Sequence, residues 1–107
     1  MSAAVRAQGR TMIVTLDHGK VTLAPRWWYR LRHPTIVTRH FYAFEAALVW
    51  SPPGLLRLGG QLFFDLSDAY GVDLSSEEDY LVTYGRASKS DFIRLVKTGR
   101  WLEVVTP

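Results

Sequence analysis

The sequence predicts an α+β domain, in which a mostly antiparallel sheet built from hairpins carries one or two packed helices. Two observations lead to this prediction. Residues 11–23 are β-branched and apolar on both sides of an Asp-His-Gly-Lys turn, which is the pattern of a hairpin. Residues 89–98 carry apolar side chains at helical spacing and predict an amphipathic helix that covers a sheet. A chain of 107 residues is long enough for one such domain.

The first ten residues and the hairpin behind them set the expected domain limits. Residues 1–10 are mostly small or polar and predict a flexible N-terminal tail, followed by a single domain over residues 11–107. In the hairpin, residues 11–16 pair with residues 21–23, because Gly19 supplies the positive φ that a tight turn needs.

The segment from Arg26 to His33 combines aromatic and basic residues between two prolines. We interpret it as a strand, which residues 36–38 can extend. Alternate side chains then share a face that we expect in the core: Trp27, Tyr29 and Leu31. The opposite face is cationic and holds Arg26, Trp28, Arg30 and Arg32.

Residues 41–50 fit a helix or a buried strand, and the sequence slightly favours the helix. Phe41, Phe44 and Leu48 follow helical spacing among alanines that promote helix formation. A short apolar run also fits a buried strand, which periodicity alone does not distinguish from a helix. The Pro-Pro-Gly sequence at residues 52–54 ends the element in either case.

The second half of the chain predicts further strands. Residues 55–58 and 61–66 predict a strand pair around a Gly59-Gly60 turn, and residues 67–78 predict a loop.

A strand over residues 80–84 precedes the last helix. Ser88 is positioned to cap that helix and Gly99 to end it. Residues 101–105 then predict a returning strand.

This order of hairpin, strands and late amphipathic helix is similar to that of bacterial pleckstrin-homology-like domains. The resemblance implies an alternative architecture, a partial barrel capped by helix 89–98, and the strand predicted after that helix departs from it. It implies no function for this chain.

The sequence lacks the residue patterns of common active sites. The absence of cysteine excludes disulfides, thiolate metal sites and cysteine nucleophiles. Neither a glycine-rich phosphate loop nor a Gly-x-Ser-x-Gly elbow occurs, and the three histidines lack metal-ligand spacing. We therefore expect a non-enzymatic protein with no catalytic residues, no metal and no cofactor. The absence of a signal-like or membrane-spanning apolar segment predicts a cytoplasmic protein.

Charge is unevenly distributed along the chain. Residues 1–44 hold seven Lys or Arg and one acid, a net charge of +6, whereas residues 45–107 hold six bases and nine acids, a net charge of −3. Such asymmetry steers association with charged partners or between copies of the chain. It also fits two solvated surfaces that keep a small protein in solution.

These features favour a binding function for the basic-aromatic segment 26–42. The leading hypothesis is an interaction or structural accessory subunit that binds a protein partner or self-assembles, since Trp, Tyr and Arg dominate interface energetics. Small motif-free chains are typical of accessory proteins of phages and mobile elements, which would make this one virion-associated.

The alternative is a single-stranded nucleic-acid-binding module, because cations beside flat rings suit phosphate and base stacking. Membrane contact is a weaker third reading. The candidate binding residues are Arg26, Trp27, Trp28, Tyr29, Arg30, Arg32 and Arg39.

Overall fold

The computed structural model describes residues 4–51, 59–66 and 80–106. Within these ranges, eight strands form two four-stranded sheets. The first sheet is antiparallel throughout, in the order β1-β2-β3-β4. Its strands are β1 (Val5–Gln8), β2 (Met12–Asp17), β3 (Lys20–Pro25) and β4 (Arg39–Tyr42).

The second sheet has the order β7-β6-β5-β8. Its strands are β5 (Ala47–Ser51), β6 (Gly59–Asp65), β7 (Leu81–Gly85) and β8 (Glu103–Val105). The edge strand β8 runs parallel to β5, and the other pairs are antiparallel. The α+β prediction is thus confirmed. The described strands make two sheets and no closed barrel.

The first hairpin forms where the sequence predicts it. His18 and Gly19 have φ of 51° and 79°, which is the double positive φ of a type I′ turn. This turn matches the twist of the two strands and pairs Asp17 with Lys20. Met12, Val14 and Leu16 alternate into the core, as expected for a half-exposed sheet.

The N-terminal residues include a strand that the sequence did not predict. Val5 and Ala7 are buried and pair through β1 with β2. The expected flexible tail over residues 1–10 is therefore wrong for residues 5–8, and residues 1–3 lie outside the described part. Only two apolar positions mark β1, too few to distinguish it from a polar tail.

Residues 41–50 do not form the slightly favoured helix. β4 ends at Tyr42, a 3₁₀ turn spans Ala43–Glu45, and β5 begins at Ala47. The strand alternative prevails because this stretch supplies a strand to each sheet and is paired on both sides of the turn.

Gly59 and Gly60 lie in β6 rather than in a turn. They pair with Gly85 and Tyr84 of β7. A side chain on Gly60 would overlap the Tyr84 ring, so the glycine is required by packing. The predicted strand 55–58 and loop 67–78 fall outside the described residues. The strands predicted over residues 80–84 and 101–105 are confirmed by β7 and β8.

The C-terminal helix is confirmed with its predicted limits. We label it α2 (Lys89–Thr98); it packs against β1 and buries Phe92, Leu95 and Val96. Ser88 occupies the cap position, yet its side chain makes no capping hydrogen bond. A 3₁₀ turn over Arg86–Ser88 runs directly into the helix, so Ser88 lacks the extended backbone of a typical N-cap.

The core joins both sheets and α2 around the ring of Tyr84. This ring is fully buried and stacks on Phe92 with centroids 4.1 Å apart. Its hydroxyl accepts a hydrogen bond of 2.8 Å from the Trp50 indole N–H. The two sheets are linked by the bond that the amide of Arg10, between β1 and β2, donates to the carbonyl of Thr83 in β7.

Candidate interaction surface

The basic-aromatic segment forms a short helix, α1 (Trp27–Arg32), so the strand prediction is wrong. Its backbone had no sheet to join, because the pairing of β3 with β2 ends at Pro25 and its pairing with β4 ends at Leu23. A further extended stretch would leave amide and carbonyl groups unpaired, whereas a helical turn pairs them locally. The amide of Arg30 accordingly donates to the carbonyl of Arg26.

The extension predicted over residues 36–38 is also not a strand. Ile36 is buried and anchors the connection to the core, whereas Val37 is 48% exposed. β4 begins only at Arg39.

One side of α1 faces the protein through Tyr29. This ring packs against the buried cluster and contacts the His33 ring, one helical turn later, at a tilt of 35° with centroids 4.4 Å apart. The Trp28 ring meets the edge of Tyr29 at 5.7 Å and is half-buried. Tyr29 is thus the member of the predicted core face that packs inward.

The opposite side of α1 presents large apolar side chains to solvent. Trp27 and Leu31 are each 75% exposed and lie four residues apart, so they share one helical face. The prediction that both are core residues is wrong, since a helix repeats every 3.6 residues and separates them from Tyr29. We call Trp27 and Leu31 the apolar stripe of α1.

Basic side chains flank this stripe. Arg30 and Arg32 are exposed and Arg26 is half-buried. No acid occurs between residues 18 and 44 of the sequence. Within the described ranges, no carboxylate forms an ion pair with these three arginines. The stripe is therefore set in a positively charged surface.

Arg39 does not belong to α1. It lies in β4 opposite Leu23, and its guanidinium sits 5.8 Å from the centroid of the Tyr80 ring. This cation–π contact and its partial burial give Arg39 a packing role between β4 and the second sheet. The structure thus brings six of the seven candidate residues together and sets Arg39 apart.

A second exposed aromatic group was not predicted. Tyr42 and Phe44 are 48% and 63% exposed, and their rings stack with centroids 5.5 Å apart. The residue pattern did not indicate this pair, because the favoured helix over residues 41–50 would have turned the Phe44 side chain inward. Trp101, by contrast, packs on the core and donates its indole N–H to the Val96 carbonyl at 3.0 Å.

The described part of the chain contains no group of three potential metal-ligating side chains. None of its helices has the length and apolarity to cross a membrane. Comparisons with known protein families, curated proteins and solved structures found no match to this chain.

Proposed function

We propose that this protein is a non-enzymatic interaction subunit that binds a protein partner, or a second copy of itself, through the apolar stripe of α1. The observation that supports the proposal is the 75% exposure of both Trp27 and Leu31 on one helical face. Fully burying side chains of this size is worth about 1.5–3 kcal/mol each, so covering the stripe favours association. Tryptophan and arginine are also the residues most often responsible for interface affinity.

The chemistry of the stripe favours a protein over a nucleic acid. Leu31 stands beside Trp27 and has no planar face on which a base could stack. A protein partner can cover both side chains with apolar contacts and place carboxylates against Arg30 and Arg32.

Single-strand nucleic-acid binding is the second candidate. It is supported by the exposed Arg30 and Arg32 beside the Trp27 ring, which suit phosphate contacts and stacking. Such binding weakens steeply with salt, whereas burial of the apolar stripe does not.

Size-exclusion chromatography with light scattering, at low and high salt and with absorbance at 260 nm, tests both candidates. We expect wild-type protein to assemble or to carry a protein partner at both salt concentrations. The double variant Trp27→Ala/Leu31→Ala then elutes as a free monomer. Co-eluting nucleic acid that salt removes, and that Arg30→Gln/Arg32→Gln abolishes, would replace this proposal with the second candidate.

An origin in a phage or mobile element, and with it a cytoplasmic or virion-associated location, is a further part of this proposal. It is supported by the lack of a catalytic motif in the sequence.

A further inference from the structure

A cavity of about 300 Å³ is lined by residues outside α1. It is enclosed by the β2–β3 turn, the 3₁₀ turn after β4 and the C-terminal end of α2. Its lining residues are Leu16, His18, Gly19, Ala43, Phe44, Thr98, Gly99 and Arg100.

The interior of this cavity is apolar, and two of its walls are joined by a backbone hydrogen bond. Leu16 and Ala43 are buried beneath it, and the amide of Ala43 donates to the carbonyl of Gly19, which ties two of the walls together. Phe44 forms a third wall, and its stacking on Tyr42 holds the ring although 63% of the residue is exposed. These contacts reduce the rearrangement that a ligand would require of the cavity walls.

The rim of the cavity holds one cationic side chain. Arg100 lines it beside His18, and no acidic side chain is among the lining residues. Asp17 lies nearby, with its carboxylate 3.4 Å from the His18 ring, and the C-terminus of α2 adds about half a negative charge. Arg100 is exposed, and within the described residues no carboxylate pairs with its guanidinium, so an anion at the rim would meet this cation by direct contact.

We propose that this cavity binds a small monoanion with an apolar body, such as an aryl or short-chain carboxylate. The apolar part would lie against Leu16 and Phe44, and the carboxylate would accept hydrogen bonds from the Arg100 guanidinium. A volume of about 300 Å³ is at the lower end for ligand pockets, which fits one ring or a short chain and not a nucleotide. This site is independent of the proposed function of α1.

Titration of ¹⁵N-labelled protein with sodium 4-phenylbutyrate, followed by amide NMR spectra, tests this site. We expect saturable shifts at Gly19, Phe44 and Gly99, with a dissociation constant in the millimolar range. The neutral analogue 4-phenylbutanamide should bind about fivefold more weakly, because it lacks the charge that Arg100 contacts. Shifts that fail to saturate, or that spread over the whole surface, would overturn the proposal.

Variants on α2 and just beyond it supply the control. Arg100→Gln should weaken phenylbutyrate binding about fivefold, and Thr98→Phe should block the cavity and abolish it. Arg94→Gln removes an exposed charge from the same helix outside the cavity and should leave binding unchanged. The same spectra report whether each variant is folded. Equal affinity in Arg100→Gln and wild type would refute the assigned role of the anion.

Discussion

Substitution of Gly60 by alanine tests how tightly β6 and β7 pack around the Tyr84 ring. An alanine Cβ at this position would overlap the ring, with Cε1 only 2.7 Å away. The ring cannot withdraw easily, because Phe92 stacks on it and Trp50 donates a hydrogen bond to its hydroxyl. Relief of the overlap must therefore shift the backbone or break these contacts.

The expected loss of stability follows from these contacts. Overpacking a well-filled core costs about 1–3 kcal/mol, and this site belongs at the upper end because the ring is held on several sides. Disturbing the bond from Trp50 adds about 1 kcal/mol. The sum of the overpacking cost and the hydrogen-bond cost predicts that Gly60→Ala lowers the free energy of unfolding by about 3–4 kcal/mol.

Gly85 offers a matched control in the same sheet. It pairs with Gly59, and a Cβ built on it meets no atom within 4 Å. Since its φ of −91° suits any residue, Gly85→Ala should be neutral or stabilise by up to about 1 kcal/mol through the unfolded chain. Urea unfolding followed by tryptophan fluorescence measures both variants.

Two results would refute this reasoning. The first is a loss below about 1 kcal/mol for Gly60→Ala, the lower limit for overpacking. The second is an equal loss for Gly85→Ala. A double-mutant cycle localises the effect, because Tyr84→Leu removes the ring and should reduce the cost of the Gly60 substitution.

Three further predictions concern the same unfolding measurement. Tyr84→Phe should cost about 1–2 kcal/mol, because the half-buried Trp50 N–H loses its acceptor; a neutral result would mean that water replaces the hydroxyl. Burial raises the pKa of Tyr84 above its usual value of 10.0, outweighing the lowering by the Trp50 hydrogen bond. The protonated Tyr84 hydroxyl therefore contributes fully to stability below pH 10, and this contribution is lost as the pH rises through the pKa of the folded protein. The pH dependence should diminish in Tyr84→Phe. Trp27→Ala/Leu31→Ala should change stability by less than about 1 kcal/mol, since both residues are exposed; a larger loss would give the stripe a structural role.

Elements with complete local signals were predictable from the sequence. The first hairpin has its turn chemistry within residues 17–20, and α2 has its apolar spacing and terminal glycine within one short segment. Both formed where expected. These local signals predict both elements without knowledge of the residues against which they pack.

The errors arose where distant residues decide the conformation. The helix α1 forms because β3 runs out of partners, and β1 forms because β2 offers it an edge. Gly60 lies in a strand because β6 pairs with β7, and it is a glycine because Tyr84, far along the chain, fills the space above it. None of these causes is visible within the segment itself.

The candidate surface was likewise predictable in part from local sequence and in part not. The sequence identified the residue types of the segment, and it placed Arg30 and Arg32 outside correctly. Because the segment is a helix with 3.6 residues per turn and not a strand with a period of two, its aromatic side chains lie on different faces from those predicted. Trp27 became exposed, while Trp28, expected on the cationic face, became half-buried.

The most direct test of the central claim compares capture by three immobilised baits from a nuclease-treated lysate of the organism that encodes this protein. The baits are wild type, Trp27→Ala/Leu31→Ala, and Phe44→Ala/Leu102→Ala, the last removing exposed apolar side chains from elsewhere on the surface. We predict that wild type and the Phe44/Leu102 variant retain the same protein, and that the Trp27/Leu31 variant retains at least tenfold less, about 1.4 kcal/mol of lost affinity. Equal retention by all three baits, or none above background, would contradict the claim that α1 is the binding surface.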